Sequence, residues 1–153
     1  MTKLETFRDA MNAQSSALVD FTSKIVATPS LSGEEGTVAA LIVAEMKRLK
    51  YDEVWTDDVG NIIGRIKGSD GPSITLNGHM DVVDPGPVDG WPHDPYRGKV
   101  VDGELWGRGS VDMKGPVSTL CHRRIEQACA GCEESHRIFH RQTCQSWRVE
   151  FRD

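Results

Sequence analysis

The spacing of apolar residues changes along the chain, and it predicts helices first and strands afterwards. From about Leu4 to Val26 the pattern predicts a helix, because Leu18, Phe21 and Ile25 are three or four residues apart and share one face. Proline lacks a backbone N–H and breaks a helix, so the element is expected to end before Pro29.

A second helix is predicted directly after this break. Residues Ser32 to Glu35 have the spacing of a capping box, in which Ser32 caps the first turn and Glu35 bonds back to it. The helix is expected to continue to about Lys50. Its broad apolar face is formed by Val38, Leu41, Ile42, Ala44 and Met46.

Beyond Lys50 the apolar runs become short, which is typical of strands bounded by turns. We predict strands at Glu53–Thr56, Asn61–Ile66 and Ser73–Asn77, with a turn at residues 70–72. Asp102-Gly103 predicts a hairpin between residues 99–101 and 104–106, and a further helix is expected to begin near Lys114. Helices followed by strands predict an α/β fold, with a mixed sheet flanked by helices.

The charge and composition exclude several classes of partner. The 153-residue chain has 38% hydrophobic and 27% charged residues, and its formal net charge is -5. Nucleic acids and anionic membranes are bound through basic faces, so we expect neither as a partner. No apolar run approaches the roughly 20 residues that span a bilayer, and residues 1–13 lack the apolar core of a signal peptide. A cytoplasmic protein is therefore expected.

The composition changes after Ser118. From Thr119 onward there is no lysine, whereas six arginines, all four cysteines and three of the five histidines lie there. No clear apolar period is visible in this part. We therefore divide the chain into a domain at residues 1–118 and a divergent tail at residues 119–153, which we predict to be out of frame or poorly ordered.

The first candidate for chemistry lies at the end of the third predicted strand. His79 and Asp81 are two residues apart, so an extended backbone directs both side chains to the same face. A carboxylate beside an imidazole fixes the tautomer of a metal-binding histidine. The tripeptide alone is more often a solvated histidine and aspartate at a strand end than a metal site.

The second candidate is Asp112, which follows a glycine-rich stretch and precedes a predicted helix. Gly107 and Gly109 allow tight turns and a close approach of a ligand. An aspartate at this place can be a helix N-cap. It can also bridge two metal ions about 3.5–4 Å apart, the spacing that activates water and polarises a carbonyl.

Three ordered motifs together are far more specific than either candidate alone: residues 78–83, 91–96 and 103–115. They resemble the zinc-dependent deacylases and exopeptidases that include acetylornithine deacetylase, succinyl-diaminopimelate desuccinylase, aminoacylase and glutamate carboxypeptidase. The resemblance covers roughly Leu18 to Val117. It implies that the α/β domain is the incomplete N-terminal portion of a metallopeptidase catalytic domain.

The resemblance also implies roles for individual residues. His79 would bind one zinc ion, Asp81 would be the catalytic residue that holds the His79 ring, and Asp112 would bridge two zinc ions. The bond between Asp112 and Met113 would be cis. Cobalt or manganese are possible substitutes for zinc. The implied reaction is hydrolysis of amide bonds in N-acyl amino acids or short peptides, and full-length relatives are expected to be homodimers.

The chain departs from this family after Asp112. The family has a Glu-Glu pair some thirty residues later, which supplies the general base and a metal ligand, followed by a further acidic ligand and a C-terminal histidine. Residues 144–148 contain no acidic pair, and Glu133-Glu134 comes too early without an apolar strand before it. We therefore expect a truncated, inactive member. A frameshift would explain the tail, and the nucleotide sequence would test that hypothesis.

Two alternatives come from other functional classes. The first is a non-catalytic remnant that binds metal weakly or pairs with a full-length relative. The second is a metal-binding module in the tail, where Cys132, His136, His140 and Cys144 recur every four residues and would share one stripe of a helix. Nearer to the motifs, we expect His93 to be a loop residue and Arg108 to hold the glycine-rich loop rather than bind a substrate carboxylate. Trp91 and Trp106 are expected to cover the site or to pack beneath it.

Overall fold

The computed structural model describes residues 3–67, 73–122 and 134–140, in which two α-helices are followed by a series of strands, a third α-helix and a further strand. The helices are α1 (Lys3–Val26), α2 (Gly36–Arg48) and α3 (Lys114–His122). The strands are β1 (Glu53–Thr56), β2 (Ile62–Lys67), β3 (Ser73–His79), β4 (Lys99–Val101), β5 (Glu104–Trp106) and β6 (Glu134–His140). The predicted helices and strands are confirmed to within two residues at most boundaries, while the turn predicted at residues 70–72 lies outside the described part.

The main sheet has the strand order β1-β2-β6-β3. β1 and β6 run antiparallel to β2, whereas β3 and β6 run parallel to each other. This mixed sheet packs against helices, so the predicted α/β class is confirmed. β4 and β5 form a separate hairpin. Its turn residues Asp102 and Gly103 both have positive φ, as the predicted two-residue turn requires.

The core lies where the three helices meet the main sheet. Each helix contributes buried apolar side chains at helical spacing, and β2 supplies the sheet side of the same cluster. Its members include Phe21, Ile25, Val38, Ile42, Met46, Ile62, Ile66, Val117 and Cys121. Of the apolar face predicted for the second helix, Val38, Ile42 and Met46 are buried and hold α2 against the sheet, whereas Ala44 is exposed.

The capping box predicted at Ser32 is wrong. The N-cap of α2 is Glu35, and no side chain caps the helix. Ser32 lies too far before Gly36, the first helical residue, to reach the first turn. A backbone bridge between Leu31 and Val82 holds this segment beside the end of β3, and the Ser32 hydroxyl donates to Asp81 instead.

β6 lies within the predicted tail, and α3 extends past Ser118 to His122. The helical stripe considered for the tail is wrong over residues 134–140, because this segment is a strand. Cys129, Cys132 and Cys144 lie outside the described residues, so the tail module and the division at residue 118 stay predictions. Within the described ranges, no helix has the length and apolar content that a bilayer crossing requires.

Candidate metal site

β3 ends at His79 and so delivers this imidazole to the carboxyl end of the strand, where α/β sheets place their ligands. His79 Nε2 lies 3.0 Å from Asp112 Oδ1. On the other side of the ring, Nδ1 lies 3.0 Å from the carbonyl oxygen of Asp81 and 3.1 Å from its Oδ1. The structure therefore brings together all three residues predicted from the sequence, here called the His–Asp cluster (His79, Asp81 and Asp112).

Burial differs sharply within the His–Asp cluster. The side chain of Asp81 is 2% exposed, that of His79 is 34% exposed and that of Asp112 is 85% exposed. Asp81 therefore supports the ring from inside the protein, while Asp112 approaches it from the solvent. A proton on Nδ1 of His79 would be donated to Asp81, and this tautomer leaves the Nε2 lone pair directed at Asp112 and free to bind a metal.

The two carboxylate oxygens of Asp81 have different neighbours. Oδ2 accepts a hydrogen bond of 2.7 Å from the Ser32 hydroxyl. Oδ1 is buried and close to Nδ1 of His79, but no well-aligned donor reaches it within the described part of the chain. The better-aligned acceptor for Nδ1 is the Asp81 carbonyl. The sequence did not identify Ser32 as part of this site, because its local spacing indicated a helix cap.

Asp112 is held by the turn that leads into α3. The Asp112–Met113 peptide bond is cis, as the resemblance implied. Because α3 begins at Lys114, its N-cap position belongs to Met113, so the N-cap interpretation of Asp112 is wrong. Its carboxylate instead contacts His79, 33 positions earlier in the chain. The catalytic role of Asp81 and the metal-binding roles of His79 and Asp112 stay predictions.

Lys114 is a second residue near the site that sequence reasoning missed. The residue is 1% exposed, and Nζ donates a hydrogen bond of 2.6 Å to the carbonyl oxygen of Thr28. Its backbone N–H donates to the carbonyl oxygen of Gly109. Lys114 therefore ties the turn that carries Asp112 to the segment after α1. Burial disfavours the ammonium form and lowers the pKa of Lys114 from 10.5 to about 8.

This depressed pKa predicts a rise in stability at alkaline pH. Between about pH 8 and 10.5 the unfolded chain holds the Lys114 proton while the folded chain has released it, so folding becomes more favourable as pH rises. The gain is at most about 3 kcal/mol above pH 10.5, and it is lost as pH falls through 8. Urea unfolding at pH 8, 9 and 10 should show this rise in the wild type and lose it in Lys114→Met.

The exposed Lys24 of α1 offers the matched control. Lys24→Met should retain the alkaline rise of the wild type. An equal rise in Lys114→Met and in the wild type would contradict the assignment of the effect to Lys114.

The loops beside the site are held by aromatic and arginine contacts. The guanidinium of Arg108 lies 4.9 Å from the centre of the Trp91 ring, and the Arg108 backbone N–H donates to the Pro95 carbonyl. His93 packs edge-on against Trp106, with ring centroids 5.2 Å apart. Arg108 thus holds the glycine-rich loop against the preceding loop, and His93 is a loop residue beside Trp106.

The His–Asp cluster fits part of a metal site. An imidazole nitrogen and a carboxylate oxygen are ordinary zinc ligands, and two ligands of one tetrahedral zinc lie about 3.4 Å apart. The observed 3.0 Å between Nε2 and Oδ1 needs only a small opening to reach this value. In the described part of the chain, no group of three or more His, Cys, Asp or Glu side chains is arranged to hold a metal ion. The cluster is thus a partial ligand set.

The register of β6 shows what lies beside the His–Asp cluster. His140 is the parallel register partner of His79, and Glu134 is the partner of Ser73 at the opposite end of both strands. Glu134 and His140 are six positions apart in an extended strand, which corresponds to about 20 Å. Glu134 is therefore too far from His79 to act as a base at this site. Glu133 lies outside the described residues.

Comparison with known proteins agrees with this geometry. Residues 75–128, which contain all three members of the His–Asp cluster, match the model of peptidase family M20/M25/M40. This segment is part of an M20 peptidase domain. The resemblance drawn from the three sequence motifs is thereby confirmed.

The chain is also similar to curated relatives and to solved structures. The chain is 44% identical over 103 residues to succinyl-diaminopimelate desuccinylase of Methylobacterium sp. (strain 4-46). The aligned region covers 63% of this chain and 26% of the relative. It thus spans about a quarter of the length of the curated relatives it matches. Human carnosine dipeptidase 1 superimposes with a TM-score of 0.74 at 24% identity, over 92% of this chain and 35% of that one.

A second solved structure with a similar fold is a metal-binding peptidase. The YXEP protein of Bacillus subtilis, described as a dinuclear metal binding peptidase from the M20 family, has a TM-score of 0.59 at 23% identity. The match covers 84% of this chain and 35% of that protein. At this level of identity, the solved structures show that the fold is shared.

Proposed function

We propose that this chain carries part of the active site of a metal-dependent hydrolase that cleaves amide bonds in N-acyl amino acids or short peptides. One observation carries the proposal: the His79 ring contacts the exposed Asp112 on one side and the buried Asp81 on the other. All three residues lie inside the segment that matches the M20 family. The desuccinylase relatives support a deacylase, and the dipeptidase and M20 peptidase neighbours share its fold.

Each member of the His–Asp cluster has a distinct part in this proposal. His79 would hold the metal through Nε2, and the exposed Asp112 would hold it from the solvent side. Asp81 would keep the His79 ring in the tautomer that leaves Nε2 unprotonated. When bound, the metal polarises the amide carbonyl and makes water a better nucleophile. Zinc is the proposed ion, with two ions in the complete site and cobalt or manganese as substitutes.

Metal binding without turnover is a second candidate function, favoured by one observation. The only acidic residue of β6, Glu134, lies at the far end of that strand from His79, so the described residues place no carboxylate on β6 that could act as a base at the site. Under this alternative, the chain would bind a metal through His79 and Asp112 alone or together with a full-length relative.

Zinc analysis and hydrolysis assays on the purified chain test both candidates. We expect stoichiometric zinc, measured by elemental analysis after dialysis against metal-free buffer. Release of succinate, acetate or amino acid from N-succinyl amino acids, N-acetyl amino acids and dipeptides would then support the hydrolase. Zinc without hydrolysis would support the second candidate. Absence of zinc after dialysis would overturn the hydrolase, and absence of binding when zinc is titrated into the chain, alone and with a full-length relative, would overturn both.

A further inference from the structure

We propose that Ser32 is a positioning residue of the metal site, which acts on His79 through the carboxylate of Asp81. This inference deepens the proposed function and rests on it for its link to the metal. It begins from a short segment between α1 and α2, here called the serine segment (Ser30, Leu31 and Ser32).

The serine segment is fastened to the end of β3 along its whole length. The buried Ser30 hydroxyl donates to the Met80 carbonyl at 2.8 Å. The Val82 N–H donates to the Ser30 carbonyl at 2.8 Å, and Leu31 forms a parallel bridge with Val82. The backbone that carries Ser32 is thus fixed relative to the backbone that carries Asp81.

From this fixed position, Ser32 determines how the Asp81 carboxylate is turned. Its hydroxyl donates to Oδ2 at 2.7 Å, which leaves Oδ1 on the side of His79, 3.1 Å from Nδ1. A carboxylate held by a donor at one oxygen cannot rotate freely about its last bond. Ser32 therefore fixes the negatively charged oxygen Oδ1 beside His79 Nδ1, whose better-aligned acceptor is the Asp81 carbonyl. Outer partners of metal-binding histidines tune their ligands through such contacts.

The exposure of Ser32 distinguishes the proposed role in orienting Asp81 from a role in packing the core. Ser32 itself is exposed, whereas the carboxylate that it contacts is buried. Ser32 caps no helix, because α2 has no side-chain cap. Removal of its hydroxyl should therefore change the stability of the fold little. It should instead leave the buried Oδ2 without the Ser32 donor and release the orientation of Asp81.

The test compares Ser32→Ala with Ser32→Thr, which keeps the hydroxyl. The control is Ser15→Ala, which removes an exposed serine of α1 whose hydroxyl bonds to the Asn12 carbonyl. The first measurement is the ring ¹⁵N resonances of His79 in metal-free protein, with those of His122 as an internal reference. The second is zinc affinity by competition with a chromophoric chelator.

Ser32→Ala should shift the His79 ring resonances and weaken zinc binding by about tenfold, the lower end of the effect of outer-partner mutations. Ser32→Thr and Ser15→Ala should match the wild type in both measurements. Unchanged His79 resonances in Ser32→Ala, an unchanged zinc affinity there, or a Thr variant that behaves like Ala would overturn the proposal. If the wild type binds no zinc, the proposed function fails, whereas the metal-free His79 resonances still decide the role of Ser32.

Discussion

The Asp112→Ala variant is expected to lose zinc binding while it keeps the stability of the wild-type fold. The Asp112 side chain is 85% exposed and contacts His79 Nε2, so its removal leaves a single imidazole from the His–Asp cluster at the site. One ligand does not hold zinc in a protein, and loss of an outer partner alone weakens binding up to about a hundredfold. We therefore expect at least a hundredfold loss, with a free energy of unfolding within about 0.5 kcal/mol of the wild type.

Two further variants sharpen this measurement. Asp112→Asn keeps the size and one acceptor oxygen but removes the charge, so it should also lose most of the zinc if the carboxylate is a ligand. Asp58→Ala removes an exposed carboxylate from the β1–β2 turn and should bind zinc like the wild type. Zinc retained by Asp112→Ala would place the metal elsewhere. Its release by alkylation of the cysteines would then favour the tail module.

The elements that the sequence predicted well are those specified by local signals. β1, β4 and β5 have the predicted bounds, and α3 begins at the predicted Lys114. Each of these depends on a few adjacent residues, such as the Asp102-Gly103 turn, whose conformation requires little from the rest of the fold. The mixed sheet followed from the order of helices and strands.

The failures concern contacts between residues that are distant in sequence. Ser32 has the local pattern of a helix cap, but it contacts Asp81, 49 positions later. Lys114 is a charged residue at a helix start, yet it is buried against the Thr28 carbonyl, 86 positions earlier. The central strand β6 comes from a stretch without clear apolar period and is paired on both sides. Partners of this kind cannot be identified from local spacing.

The His–Asp cluster was predicted partly from local spacing and partly from the resemblance. The proximity of His79 and Asp81 follows from a separation of two residues in an extended chain. The contact between His79 and Asp112 spans 33 residues, and each motif alone had an ordinary structural explanation. Only the combination of three motifs, through the resemblance they carry, predicted that these residues meet.

The segment before β4 is docked on α1 through Gly98, whose carbonyl accepts a hydrogen bond from the Ser23 hydroxyl, and Gly98→Ala is expected to break this docking. Gly98 has a φ of +56°, and an added Cβ would collide with the backbone carbonyl of Ser23 and lie 3.2 Å from its Oγ. The same carbonyl accepts the helical hydrogen bond of Ala27, so it cannot move alone. Positive φ and overpacking together should destabilise the fold by about 3 kcal/mol, measured by urea unfolding.

Variants of two other glycines distinguish the effect of the Cβ clash at Gly98 from the effect of its positive φ. Gly103→Ala meets nothing within 4 Å but has a φ of +84°, so it should destabilise by only about 1 kcal/mol. Gly36→Ala, in open space at the start of α2, should be neutral or slightly stabilising. A loss in Gly98→Ala no larger than in Gly103→Ala would contradict the close docking. The expected order would show that the fold depends on the close contact between Gly98 and the Ser23 carbonyl of α1.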